Sequence, residues 1–345
     1  MSGLVAATAL HQAGVEVACV EARDRVGGRT LSACGWVDLG ATWFWDGEAA
    51  IAETVESLGL ATYRQAIGGD ALFEQPDGTS VRLAGNPIDA PAWRLAGGMQ
   101  AVPIELARRL PEGAVVTGAP VESVAFAASG PAQVATAVGA LTARMVVLAV
   151  PPRLAVGSIG FTPRLPADLI DAATGVHTWM SDTVKAVACF AEPFWRRSGL
   201  AGAGISHAGP FSEFHDHSGP EPDQAALFGF APAVPMGKAP SESGIAERFI
   251  DQVARLWGPQ GRQPSSVRIV DWSRERFTAI PGPAASPASR YYGDPVLRMP
   301  YMDGRLVFAS TETAHAFGGH VEGAVLAGRR AAAQALDLLG RPAER

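Results

Sequence analysis

Apolar positions fall into two kinds of pattern along this chain. Near the N-terminus, residues 2–13 carry small and apolar side chains at helical spacing, and Gly14 follows as a stop, which predicts a helix. Residues 15–20 are near-continuously apolar, as in a strand covered on both faces. Met145–Val150, halted by Pro151-Pro152, and Leu306–Ala309 read the same way, and each could join that sheet. A helix is predicted from about Gly323 to Leu339, ended by Gly340-Arg341-Pro342. The stretches between differ in character. Residues 63–94 are punctuated by Gly and Pro without strong periodicity. Residues 152–290 hold most of the aromatics, β-like runs at Val184–Phe190 and Val267–Trp272, and an amphipathic helix over Ser243–Trp257.

The predicted fold class is α/β: a Rossmann-like dinucleotide-binding domain with an inserted α+β substrate domain. The first comprises 1–62, 95–151 and 291–345, and the second 63–94 and 152–290. Length supports two domains with a sizeable core. At 48% hydrophobic and 18% charged residues the composition is that of a globular protein. The net charge of −6 gives no electrostatic footprint for nucleic acid or an anionic membrane. No apolar run is long enough to span a bilayer, and Glu16 and Glu21 interrupt any signal-peptide pattern. Cys19, Cys34 and Cys189 are scattered, so a reducing, cytoplasmic setting is expected. Abundant Ala, Gly and Pro with little Lys suggest a GC-rich bacterial source.

The candidate chemistry begins at the N-terminus. Gly3 fits the third glycine of a G-x-G-x-x-G turn, where helix and strand pack closely. Glu21, 18 positions later, ends a strand where an acid can bond ribose hydroxyls. A full unit needs a buried strand and two more glycines before Ser2, so the natural start is expected about a dozen residues or more upstream. Gly27-Gly28 lets the backbone approach a ligand, and Arg29 can reach a phosphate. His215-Asp216-His217, beside Glu213, reads as a solvated loop and not as a metal site.

Several separated strings together resemble the flavin-dependent amine oxidase family, the monoamine and polyamine oxidase group. They are Val20–Thr30, Asp38–Trp43, Gly97-Gly98-Met99, Pro120–Val124, Lys185 with Glu192-Pro193-Phe194-Trp195, Asp271-Trp272, Thr311–Ala314 and Gly318–Ala324. Their order and spacing hold from residue 2 to about 335. The resemblance implies FAD, contacted by Ser2, Gly3, Glu21, Ala22, Arg23, Gly28 and Arg29 at its nucleotide end. Val121 would meet adenine through its backbone, and Gly40, Ala41, Thr42 and Trp43 would lie against the isoalloxazine. Thr311, Glu312, His320 and Val321 would sit at the pyrimidine edge, where a helix N-terminus favours negative charge. The implied reaction passes hydride from the carbon next to an amine nitrogen to flavin N5, with O2 as acceptor, giving imine and H2O2.

Three departures accompany the resemblance. The strand and glycines before Ser2 are one. The family's lysine near flavin N5 is expected just before the Asp-Trp pair, where this sequence has Val270. The paired tyrosines that flank an amine are replaced by His320 and by the loop around Pro281-Gly282, with Tyr291 and Tyr292 nearby. No cysteine stands at the flavin-linking position, so non-covalent FAD is expected. His320 is the candidate catalytic residue, and an amine and O2 are the expected partners. A flavin desaturase or isomerase, and a non-catalytic flavin-binding remnant, remain as alternatives.

Overall fold

In the computed structural model, which describes residues 1–233, 241–278, 280 and 292–340, the chain passes in order through the elements that shape the site. These are α1 (Ser2–Gln12), β1 (Cys19–Val20), α2 (Ala49–Ser57), β2 (Val115–Val116), β3 (Val146–Leu148), β4 (Thr183–Phe190), β5 (Glu213–Asp216), β6 (Ala225–Pro232), α3 (Glu242–Trp257), β7 (Ser266–Asp271), β8 (Leu306–Phe308) and α4 (Val321–Leu338). The loop around Pro281-Gly282 and Tyr291 lie outside the described residues.

The first layer is Rossmann-like but divided. β1 pairs in parallel with β2, and β3 pairs in parallel with β8. The two pairs do not bond to each other, so the apolar runs expected to share one sheet form two. β1 is correspondingly short. Of the expected 15–20 strand only Cys19–Val20 has a ladder partner, and among the described residues β2 is its one bonded neighbour. Both halves pack on the same helices. α1 and α4 lie against each other, and Val17 and Val147, one from each half, touch the cluster of Ala6, Leu10, Ala332 and Ala335. Gly328 makes this approach possible, since a Cβ there would lie 2.5 Å from the Ser2 carbonyl oxygen.

The second layer is a seven-stranded sheet in the order β7, β4, β6, β5, Leu200–Ser206, Asp70–Glu74, Ser80–Leu83. β4 and β6 are each eight residues long and pair along their whole length. α3, capped by the Ser241 hydroxyl, lays Phe249, Val253 and Trp257 on Phe214 and Leu227. Most of the aromatics between 179 and 277 are therefore core, although Trp179 is exposed. The segment 63–94, unpatterned in sequence, contributes Asp70–Glu74 and Ser80–Leu83 to this sheet, and Ala92–Leu95 to a small one. Residues 152–176 pack with the first layer: Ala155, Leu169, Ala173 and Val176 share a cluster with Leu148 and Phe308.

One expectation is overturned. His215 and Asp216 lie within β5, followed by His217, and all three are buried instead of forming a solvated loop. β5 is an inner strand bonded on both sides, so these polar groups find partners in protein. His215 bonds Asp89 and Glu213, Asp216 accepts from Trp195 and Arg196, and His217 Nε2 accepts the Asp38 N–H at 2.9 Å.

Candidate active site

Between the layers lies one cavity of about 1600 Å³. Its walls carry Ser2, Gly3, Glu21, Ala22, Arg23, Gly28, Arg29, Gly40, Ala41, Thr42, Trp43, Val121, Thr311, His320 and Val321, so residues distant in sequence meet at one place. Glu312 stands behind the wall. It is fully buried, with Oε1 2.7 Å from Arg29 Nη2. The carboxylate of Glu21 accepts the Arg23 N–H at 2.9 Å. Arg23 points its guanidinium elsewhere, to Glu275 Oε2 at 2.9 Å and Thr278 Oγ1 at 2.7 Å. It therefore ties the two layers together at the cavity rim.

Gly27 and Gly28 have φ of +109° and +61°, a turn conformation open to glycine. Gly40 is a glycine for a different reason. A Cβ on Gly40 would sit 1.9 Å from the Arg29 carbonyl oxygen, so no side chain fits where these segments cross. The N-terminus of α4 opens at Val321 onto the same cavity. On the opposite flank the cavity extends between the two half-sheets, where Leu4, Leu10, Val15, Val147 and Leu339 make an apolar slot.

At the other end Trp43, Trp45, Trp179, Phe230 and Trp272 line the wall. Lys185 enters here from β4, nearly fully buried, with Nζ 3.1 Å from Gly40 O and 2.5 Å from Thr42 Oγ1. Its Nζ lies 4.2 Å from the Phe228 ring centroid. Burial lowers its pKa from 10.5 to about 7. Lys185 is the direct cross-strand partner of Val270, so a lysine faces the site from the strand beside the one expected to carry it. Behind it, burial raises the Asp38 carboxyl, which accepts from Ser32 Oγ and Met99 N. Burial, with Arg94 close by, holds His217 well below its ordinary value.

His320, the N-cap of α4, puts Nδ1 2.7 Å from Glu48 Oε1 and its ring 5.2 Å from Trp45. Glu48 is almost wholly buried and also accepts the Trp45 N–H at 2.9 Å. In the first turn of α4, Glu322 accepts the N–H groups of Ala50 and Ile51 and so caps α2. Lys185 in this role, Glu48 and Trp45 escaped the sequence reading. A lysine inside the apolar run Val184–Ala188 was the visible signal for the first.

With this geometry in place, comparison with known proteins decides the family. The sequence matches the flavin containing amine oxidoreductases over residues 1–95 and 79–336. The chain belongs to that family. Its members contain a flavin, and this protein's α/β architecture is theirs. It is 30% identical over 251 residues to the "Probable flavin-containing monoamine oxidase A" of Dictyostelium discoideum, covering 71% of this chain and 54% of that one. The chain thus spans about half the length of that curated relative. A cyclohexylamine oxidase from Brevibacterium oxydans superposes with a TM-score of 0.85 at 20% identity, covering 99% of this chain and 97% of the other. A wild-type putrescine oxidase bound to putrescine superposes with a TM-score of 0.83 at 24% identity, over 99% and 97%. These likenesses concern the fold. Among the described residues no helix is long and apolar enough to cross a membrane, and no cluster of His, Cys, Asp and Glu is arranged to hold a metal ion.

Proposed function

We propose that this amine oxidoreductase, holding FAD non-covalently, oxidises the C–N bond of a small amine to an imine, with O2 as electron acceptor and H2O2 as second product. The observation that carries the reading is the continuity of one cavity from Glu21 and Val121 to an aromatic end containing Lys185 and His320. The residues fit a flavin dinucleotide. Ser310 Oγ is buried on the cavity wall with no hydrogen-bond partner, an acceptor and donor left for a bound group. Bound there, FAD would supply the two-electron acceptor for a hydride equivalent and pass the electrons on to O2.

The chain's own residues bind and orient. Glu21 would take the ribose, Ser2, Gly3, Gly28 and Arg29 the phosphates, and the end of α4 near Thr311, Glu312 and Val321 the flavin's polar edge. Gly40–Trp43 would support the redox ring, with Lys185 beside it filling the lysine place left open at Val270. Trp45 and Phe230 exclude water from the amine. Of the three cysteines only Cys19 lines the cavity, and burial pushes its thiol up to about 11, which supports a non-covalent cofactor. In this reading the first layer, with residues 152–176 packed on it, holds the cofactor, and the seven-stranded sheet walls the substrate end. The test is direct. Purified protein mixed with FAD should keep absorbance near about 450 nm through gel filtration, bleach with amines without air, and yield peroxide in air. A colourless protein would sink the reading, and bleaching without peroxide would move it to a non-oxidase.

A further inference from the structure

The Glu48–His320 pair has a property that cofactor positioning does not need. Glu48 is an acid removed from water, with Oε2 accepting the Trp45 N–H and Oε1 facing His320 Nδ1 at 2.7 Å. A buried carboxylate that already accepts one N–H takes a second most readily, so Nδ1 carries the ring proton. Nε2 is then a free acceptor. The imidazole is about one-third exposed and lies on the cavity wall, against Trp45 and about 6.1 Å from Phe317. An imidazole with its tautomer fixed by a buried acid, and its other nitrogen open to a pocket, is the arrangement of a general base.

An amine gives this base a task. At neutral pH a free aliphatic amine is an ammonium ion, and a carbon next to N–H₃⁺ cannot release hydride. Resting on the amine-oxidising reading above, we infer that His320 Nε2 removes the proton from the incoming ammonium, with Glu48 as the positioning residue that holds the ring. One N–H bond of the ammonium breaks, an Nε2–H bond forms, and the amine keeps the electron pair. The imidazolium is balanced by the Glu48 carboxylate and returns its proton to solvent through the exposed part of the ring. Other ionisable groups on the elements packed around the ring have their own partners. Glu322 caps α2, Asp46 bonds Arg64 and Trp93, and Arg29 pairs with Glu312. Lys185 lies on the same cavity wall, bonded to Thr42, and His315 is exposed on the loop before α4.

His320→Asn tests this cleanly. The amide nitrogen can reproduce the Nδ1–H donor to Glu48, yet nothing replaces Nε2. Flavin-loaded wild type and variant are compared with one primary amine across pH. The variant's rate constant for flavin bleaching should fall ~10²-fold at about pH 7, within the range for a general base, and converge with wild type near about pH 10, where the amine is already free. Glu48→Gln should show a smaller loss of the same pH shape. Independently of activity, nitrogen NMR of histidine-labelled protein should show His320 as the Nδ1–H tautomer, lost in Glu48→Gln. A pH-independent loss in His320→Asn, or an Nε2–H tautomer in wild type, overturns the inference while leaving amine oxidation standing. Wild type that no amine bleaches at any pH overturns both.

Discussion

Lys185 carries the clearest residue-scale expectations. Its pKa falls from 10.5 in the unfolded chain to about 7 in the fold. Between those values the unfolded chain holds a proton that the folded chain has released, so stability rises with pH across that window. Below about 7 the whole cost of a buried ammonium is present. Lys185→Met removes that cost. Its melting temperature, relative to wild type, is expected to be most favourable near about pH 6 and to lose ground steadily towards about pH 10, as read by calorimetry. The same substitution is expected to slow turnover with amines ~10–10²-fold, measured as peroxide release. The sequence showed a lysine within an apolar run, but not its destination. That depends on the antiparallel register that sets Lys185 opposite Val270, and pairing register between strands 85 positions apart is a tertiary property. His215 in β5 and His217 after it look solvated in the sequence for a related reason: polar residues do so until the strands that satisfy them are in place.

Elements were legible in proportion to how far they are self-contained. The ends of α1, α3 and α4 fall within one or two residues of the positions read from periodicity and stop signals, because helix bonds close locally. β1 shrank to two residues because a strand exists only as far as its neighbour's ladder reaches. Two element-scale expectations concern α4. Gly328→Ala places a methyl 2.5 Å from the Ser2 carbonyl oxygen and against Val5, forcing α1 and α4 apart. The cost should be ~1–3 kcal/mol in urea unfolding, with weaker FAD retention as the start of α1 moves. Glu322→Gln leaves one of the Ala50 and Ile51 N–H groups facing an amide donor. It should cost ~1–3 kcal/mol and raise hydrogen exchange in the first turn of α2.

For the whole molecule, the apolar runs 15–20, 145–150 and 306–309 were readable as strands, and part of each is a strand of the first layer. The two layers should differ in resistance to opening. β4 and β6 are long and central, whereas among the described residues β1 and β3 each pair along one edge only. Hydrogen exchange is expected to be faster in β1, β2 and β3 than in β4 and β6, and FAD should slow it mainly in the first group. Equal protection in both layers would contradict this. The aromatic end of the cavity has an optical consequence. Trp43, Trp45, Trp179 and Trp272, half of the chain's eight tryptophans, line the cavity proposed for the flavin. Their emission overlaps flavin absorption, so ultraviolet fluorescence should dim as the cofactor enters and return as it leaves. The protein would then report its own occupancy by light, with no substrate and no turnover.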